Sequence, residues 1–169
     1  MKTKTRLAAF ALIAGAGLLA TGLAWSDGRP ARTGTPAATA STALPLLTVH
    51  KSPSCGCCVH WVEHMRKAGF QVEVNDTDHM HAIKERVGIP YGKGSCHTAE
   101  VGGYFVEGHV PAADVKRLLA EKPDARGLTV PGMPAGSPGM EMPDGRVQPY
   151  AVELIDVDGS SSEYSRYGE

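Results

Sequence analysis

Apolar positions fall into short, regularly punctuated blocks between Leu46 and Leu119. Leu46-Leu47-Thr48-Val49 is a partly β-branched run with the pattern of a strand. Ser52-Pro53-Ser54 breaks it, and Cys58, Trp61, Val62 and Met65 then recur at helical spacing. Gly69 is placed to stop that helix in a left-handed cap. Phe70 to Val74 alternates as a second strand. Thr77 or Asp78 suits the cap of a second helix, striped by Met80, Ile83 and Val87 and ended by Gly88 and Pro90. Thr98–Val101 and Tyr104–Glu107 flank Gly102-Gly103, a two-residue hairpin signal. Pro111 suits the first turn of a third helix, with Val115, Leu118 and Leu119 facing inward.

After Lys122 the periodicity is lost. Leu128 to Val147 is rich in Gly, Pro and Met and reads as an irregular loop. Tyr150–Val157 then reads as a strand, turned by Asp158-Gly159 toward Glu163–Tyr167. The expected fold is α/β: a thioredoxin-like βαβα–ββα core with a parallel first strand pair, plus an added C-terminal loop and β-hairpin. That hairpin is expected to extend or cover the sheet rather than form a second domain. The cysteines just after the first strand fall where such a fold keeps its redox pair.

The N-terminal stretch differs in kind. Lys2, Lys4 and Arg6 precede an apolar, Ala/Gly/Leu-rich run, so residues 1–24 read as a signal peptide, or as an N-terminal membrane anchor if retained. Residues 25–43 hold almost nothing large to bury and read as a flexible linker. The folded domain is expected at 44–169, in an extracytoplasmic, periplasmic space. The 169-residue chain has a formal charge of -1, which excludes a broad basic field for nucleic acid. Its distinctive residues are 4 Cys, 7 His and 6 Met, and the chemistry is expected there.

Cys55-Gly56-Cys57-Cys58 contains two overlapping motifs. Cys55 and Cys58 form a Cys-x-x-Cys pair, which at a helix N-terminus cycles between dithiol and disulfide. Cys57 adds a Cys-x-Cys pair, and three thiols within four residues suit soft metals bridged by thiolate. Cys96, in Ser95-Cys96-His97-Thr98, precedes the hairpin strand, where the thioredoxin-like fold would bring it toward the other three. Cys57, His60 and His64 make one stripe on the first helix, with His60 the nearer candidate ligand. His79 and His81 lie two apart and read as solvated, while His50 and His109 are ambiguous. Met133, Met140 and Met142 supply thioethers suited to Cu(I), or equally to flexible packing. Structural disulfides are the remaining use for four cysteines in an exported chain.

KSPSCGCCVHWVEHMRKAGF, SCHTAEVGGYFVEGHVP, DVKRLLAEKP and VPGMPAGSPGME together resemble a family of small exported bacterial proteins, long classed as a domain of unknown function, that includes the copper-resistance protein CopG. The resemblance covers about residues 45–169. It implies a thioredoxin-like fold, a periplasmic location and copper held by Cys55, Cys57, Cys58 and Cys96 in a thiolate-bridged cluster of several ions. It further implies a role in interconverting Cu(I) and Cu(II). The resulting expectation is a metal-binding protein of copper resistance rather than a classical enzyme. Its site combines those cysteines with His60 and His97 as outer or terminal ligands and Met133 and Met140 closing the site or passing copper to it. Copper ions are the expected partner, with other periplasmic copper-handling proteins beyond them. A thiol–disulfide oxidoreductase using Cys55 and Cys58 is the alternative, and a metallochaperone a third.

Overall fold

The computed structural model describes residues 43–168; the signal and most of the linker expected at 1–24 and 25–43 lie outside the described residues. Seven strands and three helices follow one another as β1 (Leu47–Lys51), α1 (Gly56–Lys67), β2 (Val72–Asp76), α2 (Met80–Val87), β3 (His97–Val101), β4 (Tyr104–Glu107), α3 (Ala112–Glu121), β5 (Ala125–Thr129), β6 (Tyr150–Asp156) and β7 (Ser161–Tyr167). The strands make one mixed sheet in the order β2-β1-β3-β4-β5-β6-β7. β1 and β2 are parallel, as the intervening helix requires, and β3 and β4 form the expected antiparallel hairpin. Gly102 and Gly103 both have positive φ (57° and 91°), the geometry a two-residue turn of this kind demands.

Strand parity assigns the layers, because successive side chains point to opposite faces. Leu47 and Val49 of β1, Ala99 and Val101 of β3 and Val106 of β4 join one core with Trp61, Val62 and Met65 of α1 and Val115 and Leu118 of α3. On the other face, Thr98, Glu100 and Glu107 meet Lys84 and Arg86 of α2. The apolar stripe expected on α2 is only half-buried, since Met80, Ile83 and Val87 never become fully enclosed. His79 occupies the N-cap of α2, although the Thr77 hydroxyl does accept the His79 N–H at 3.0 Å.

One expectation is corrected at the loop. Leu128 and Thr129 do not begin an irregular segment; they end β5, a short strand parallel to β4 and antiparallel to β6. Gly127 lets β5 sit there, because a Cβ at that position would lie 2.0 Å from the Phe105 carbonyl oxygen. The remainder, Pro131 to Pro149, is free of helix and strand, as its composition implies. The C-terminal hairpin extends the sheet. Its inner face is fastened to α3 by Asp114, which accepts from Ser165 Oγ at 2.8 Å and Tyr167 OH at 2.6 Å. Arg117 stacks over the Tyr164 ring at 3.7 Å beside it.

Among the described residues no helix is long and apolar enough to cross a membrane. Because Asp114 is nearly buried, replacing it strands two hydroxyls. Asp114→Ala is expected to cost about 1.5–3 kcal/mol, the range for hydrogen bonds to a charged group, measured by urea unfolding. A loss below about 0.5 kcal/mol, the scale of an ordinary surface substitution, would mean that the hairpin docks without it.

Candidate metal centre

The site is assembled where β1 hands over to α1. Ser52-Pro53-Ser54 turns the chain, and Cys55 donates its N–H to the Ser52 carbonyl at 3.0 Å. Cys55 takes the N-cap position in extended conformation, so α1 starts at Gly56, one residue into the motif. Cys58 then points into the core and is fully buried, while Cys57 faces the mouth of the site. Cys55 and Cys58 form a disulfide, with Cα atoms 5.4 Å apart. Cys57 and Cys96 are free thiols.

Cys57 Sγ is the hub. It lies 3.5 Å from Cys55 Sγ, 3.8 Å from Cys96 Sγ and 4.0 Å from Met133 Sδ. The sulfurs of Cys55, Cys57, Cys58 and Cys96 all fall within 4.8 Å of one another. Cys96 belongs to a second group as well, with His97 Nδ1 at 3.3 Å and His109 Nε2 at 3.1 Å. His109 Nδ1 is 2.7 Å from the Pro138 carbonyl oxygen, which can only accept. That contact puts the proton on Nδ1 and leaves the Nε2 lone pair facing Cys96.

His97 is wholly buried between Trp61 (ring centroids 4.3 Å) and His109 (5.1 Å). Its Nε2 has no hydrogen-bond partner, an uncommon state for a buried polar atom. Burial pushes the Cys96 thiol up to about 12, and the neighbouring Cys57 adds to the shift, so without a metal it stays protonated at neutral pH. Burial also lowers His97 and His109, which keeps both imidazoles neutral and able to donate lone pairs. Two free thiols, a thioether and neutral imidazoles, joined by two further thiols when the Cys55–Cys58 bond is reduced, form a donor set for a soft metal, and the residues present fit one.

The Met-rich loop closes over this end. Gly139, at φ 84°, rests against the first turns of α1: a Cβ there would be 2.7 Å from the Trp61 nitrogen and 2.8 Å from the Cys57 carbonyl oxygen. Glu141 Oε1 accepts the Gly139 N–H at 2.9 Å. On the opposite wall, Trp61 Nε1 donates to the Val110 carbonyl at 2.9 Å, and Ala112 N–H donates to His64 Nε2 at 3.1 Å. Both bonds tie the segment after His109 to α1.

Of the residues singled out from the sequence, Cys55, Cys57, Cys58, Cys96 and His97 converge, and Met133 reaches Cys57. His60 is exposed on α1 and lies outside both ligand groups. Met140 is half-buried, with its backbone held by Ser137 O and Gly136 N–H. His79 and His81 are exposed, as expected of solvated residues. His109 is the ligand candidate that the pattern left ambiguous. Continuing the hairpin register, in which Thr98 pairs with Glu107, brings Cys96 opposite His109, so the Gly102-Gly103 turn carried that signal.

Two solved structures, forms 1 and 2 of copper resistance protein CopG, superpose on this fold with TM-scores of 0.70. Each is 45% identical to this chain; the alignments cover 75% of it and 99% of form 1, and 73% of it and 98% of form 2. The chain belongs to the CopG family. The family model described as "Protein of unknown function, DUF411" matches residues 93–140, a span that runs from the Cys96 segment through His109 to the Met loop. No curated protein sequence matches the chain. What this CopG-family chain presents is thus a cysteine cluster able to hold a metal ion, walled by two buried histidines.

The Gly139 contact gives a test of how the loop is seated. Gly139→Ala is expected to destabilise the fold by on the order of 1–3 kcal/mol, from a positive φ and a blocked approach. It should also free His109 from Pro138. Thermal unfolding reads the first effect and histidine nitrogen NMR the second; an unchanged His109 tautomer would show that the contact is dispensable.

Proposed function

We propose that this chain is a periplasmic copper-binding protein of copper resistance, exported by residues 1–24, and that its thioredoxin-like core holds copper through Cys55, Cys57, Cys58 and Cys96. The observation that carries this reading is the convergence of four cysteine sulfurs within 4.8 Å, in a family whose solved relatives are copper resistance proteins. Thiolates favour Cu(I), and four of them at this spacing suit several ions sharing bridging sulfurs. Met133 is the entry ligand at the exposed mouth, and Met140 and His60 act at the rim of the site. His97 and His109 supply nitrogen donors that allow Cu(II) to be tolerated.

The cysteine pair accounts for interconversion of the two copper states. Oxidation of the Cys55/Cys58 dithiol to the disulfide releases two electrons and two protons, enough to reduce two Cu(II) to two Cu(I). The reverse step, reduction of the disulfide by a periplasmic thiol donor, restores the ligands. Other copper-handling proteins are the partners that deliver or receive the metal.

Anaerobic titration is the test. The reduced protein should bind more Cu(I) than the disulfide form, in which two of the four sulfurs are tied to each other. The Cys55/Cys57/Cys58/Cys96→Ser variant should bind least. Equal capacity in the reduced wild type and this variant would sink the copper reading. Each thiol must lose its proton to bind, so affinity should fall as pH is lowered, with Cys96, pushed up to about 12, contributing even at neutral pH. A flat pH profile would mean that the thiols are not the ligands.

A second reading rests on one observation, the Cys55–Cys58 disulfide itself. It makes the chain a thiol–disulfide oxidoreductase with Cys55 as nucleophile and Cys58 as resolving thiol. Cys57 Sγ, 3.5 Å from Cys55 Sγ, weighs against it by opening off-pathway exchange. Metal-free protein is expected to reduce insulin no faster than its Cys55→Ser variant; brisk, Cys55-dependent turnover would reverse the order of the two readings.

A further inference from the structure

We infer that Lys84 and Glu107 are positioning residues for the cysteine cluster: a buried carboxylate on β4 sets the path of Ser95-Cys96-His97-Thr98 and so aims Cys96 at Cys57. The inference rests on the copper reading for its purpose, although not for its geometry. Glu107 is fully buried. Its Oε1 accepts the Ser95 N–H at 2.5 Å and also the Lys84 ammonium. Its Oε2 accepts the Thr98 hydroxyl at 2.6 Å, and that hydroxyl in turn accepts from Lys84 Nζ at 3.0 Å.

The two backbone-linked donors bracket the site. Ser95 immediately precedes Cys96, and Thr98 immediately follows His97. One carboxylate therefore grips both ends of the Cys96-His97 dipeptide from the face opposite the cysteines. The same segment carries the Met arm: Thr129 Oγ1 donates to the Lys93 carbonyl at 2.7 Å, and Gly132 N–H donates to the Gly94 carbonyl at 3.2 Å. Ser95 Oγ donates to the Gly132 carbonyl, one residue before Met133. Releasing Glu107 would thus shift Cys96 and Met133 together.

Stability alone is a weak reason for this pair. Desolvating a carboxylate and an ammonium is expensive, and well-packed apolar residues in their place are often as stable or more so. What apolar residues could not do is hold a backbone N–H and a hydroxyl at fixed positions on either side of a ligand. Outer-shell groups of this kind orient metal ligands elsewhere in proteins.

The test uses reduced, metal-free full-length protein and its Glu107→Gln variant. Gln keeps the shape but has a single acceptor oxygen, so it cannot accept from Ser95 and Lys84 on one side and from the Thr98 hydroxyl on the other. Three readouts are taken: iodoacetamide modification of each cysteine resolved by peptide mass, Cu(I) affinity by competition with a chromophoric chelator, and thermal unfolding. Glu107→Gln should alter the Cys96 modification rate severalfold, with Cys55 and Cys58 unaffected. It should weaken Cu(I) binding about 10- to 100-fold, the usual range for outer-shell partners. A folded variant with wild-type Cys96 reactivity and affinity overturns the inference, as does a lowered unfolding midpoint unaccompanied by any Cys96 effect. If Glu107→Gln does not fold, Lys84→Met retains the Ser95 and Thr98 bonds and should shift both Cys96 readouts in the same direction by less; no shift there overturns the inference. Failure of the wild type to bind Cu(I) would remove the copper reading while the Cys96 reactivity comparison still decides the positioning.

Discussion

The register of β3 against β4 is the constraint on which the rest of the centre depends. A two-residue glycine turn pairs Val101 with Tyr104 and Thr98 with Glu107, and the pairing extends beyond the strands to bring Cys96 across from His109. β3 is also locked to β1, with His97 opposite Lys51, so Cys96 lies beside the point where the chain leaves β1 for Cys55. A slip of one residue would turn Cys96 and His97 to opposite faces. No adjustment of side-chain rotamers could then restore four sulfurs within 4.8 Å. The cluster is a consequence of sheet geometry before it is a property of its cysteines.

The two faces of β3 and β4 divide the work. On the α1 face, burial of Trp61, His97 and His109 makes a water-poor wall in which the Cys96 thiol holds its proton and the two imidazoles stay neutral. On the α2 face, a charged group does what the apolar core cannot, fixing backbone donors at chosen points. Burial of an ion pair and burial of neutral ligands are thus complementary. The first defines position at a cost in desolvation, and the second keeps lone pairs available for a metal. α2, with no fully buried residue, contributes chiefly through Lys84 and Arg86, which explains why its apolar stripe is so modest.

Much of this was legible in the sequence, and the exceptions have physical causes. The α1 stripe of Cys58, Trp61, Val62 and Met65 is buried in full, because a 3.6-residue period leaves one face to cover the sheet. The glycine pair marked its turn because few other residues accept two consecutive positive φ values. β5 was hidden, since Ala-Arg-Gly-Leu-Thr alternates poorly and forms only because neighbours on both sides supply hydrogen bonds and Gly127 admits the Phe105 carbonyl. Cys55, Cys57 and Cys58 announced themselves by spacing, whereas His109 did not, because its role arises from a pairing 13 residues distant in sequence. His60 has the right helical phase relative to Cys57 and still faces solvent: phase fixes direction around the helix axis, not distance from a ligand beyond its end.

The disulfide brings these threads together. Cys55 and Cys58 cannot be bonded to each other and both serve as thiolate ligands, so the same sulfurs have two exclusive uses. Cys57 and Cys96 escape that choice: both remain thiols, 3.8 Å apart, with Met133 and His109 on either side. An oxidised site therefore still offers two thiols, a thioether and an imidazole, while reduction adds two further sulfurs. Under the copper reading, capacity is then set by the oxidation state of one pair and affinity at the core of the site by the other. A simple Cys-x-x-Cys protein has no second pair and cannot separate these properties. The additional cysteine in the motif and the cysteine before β3 are what make such a separation available.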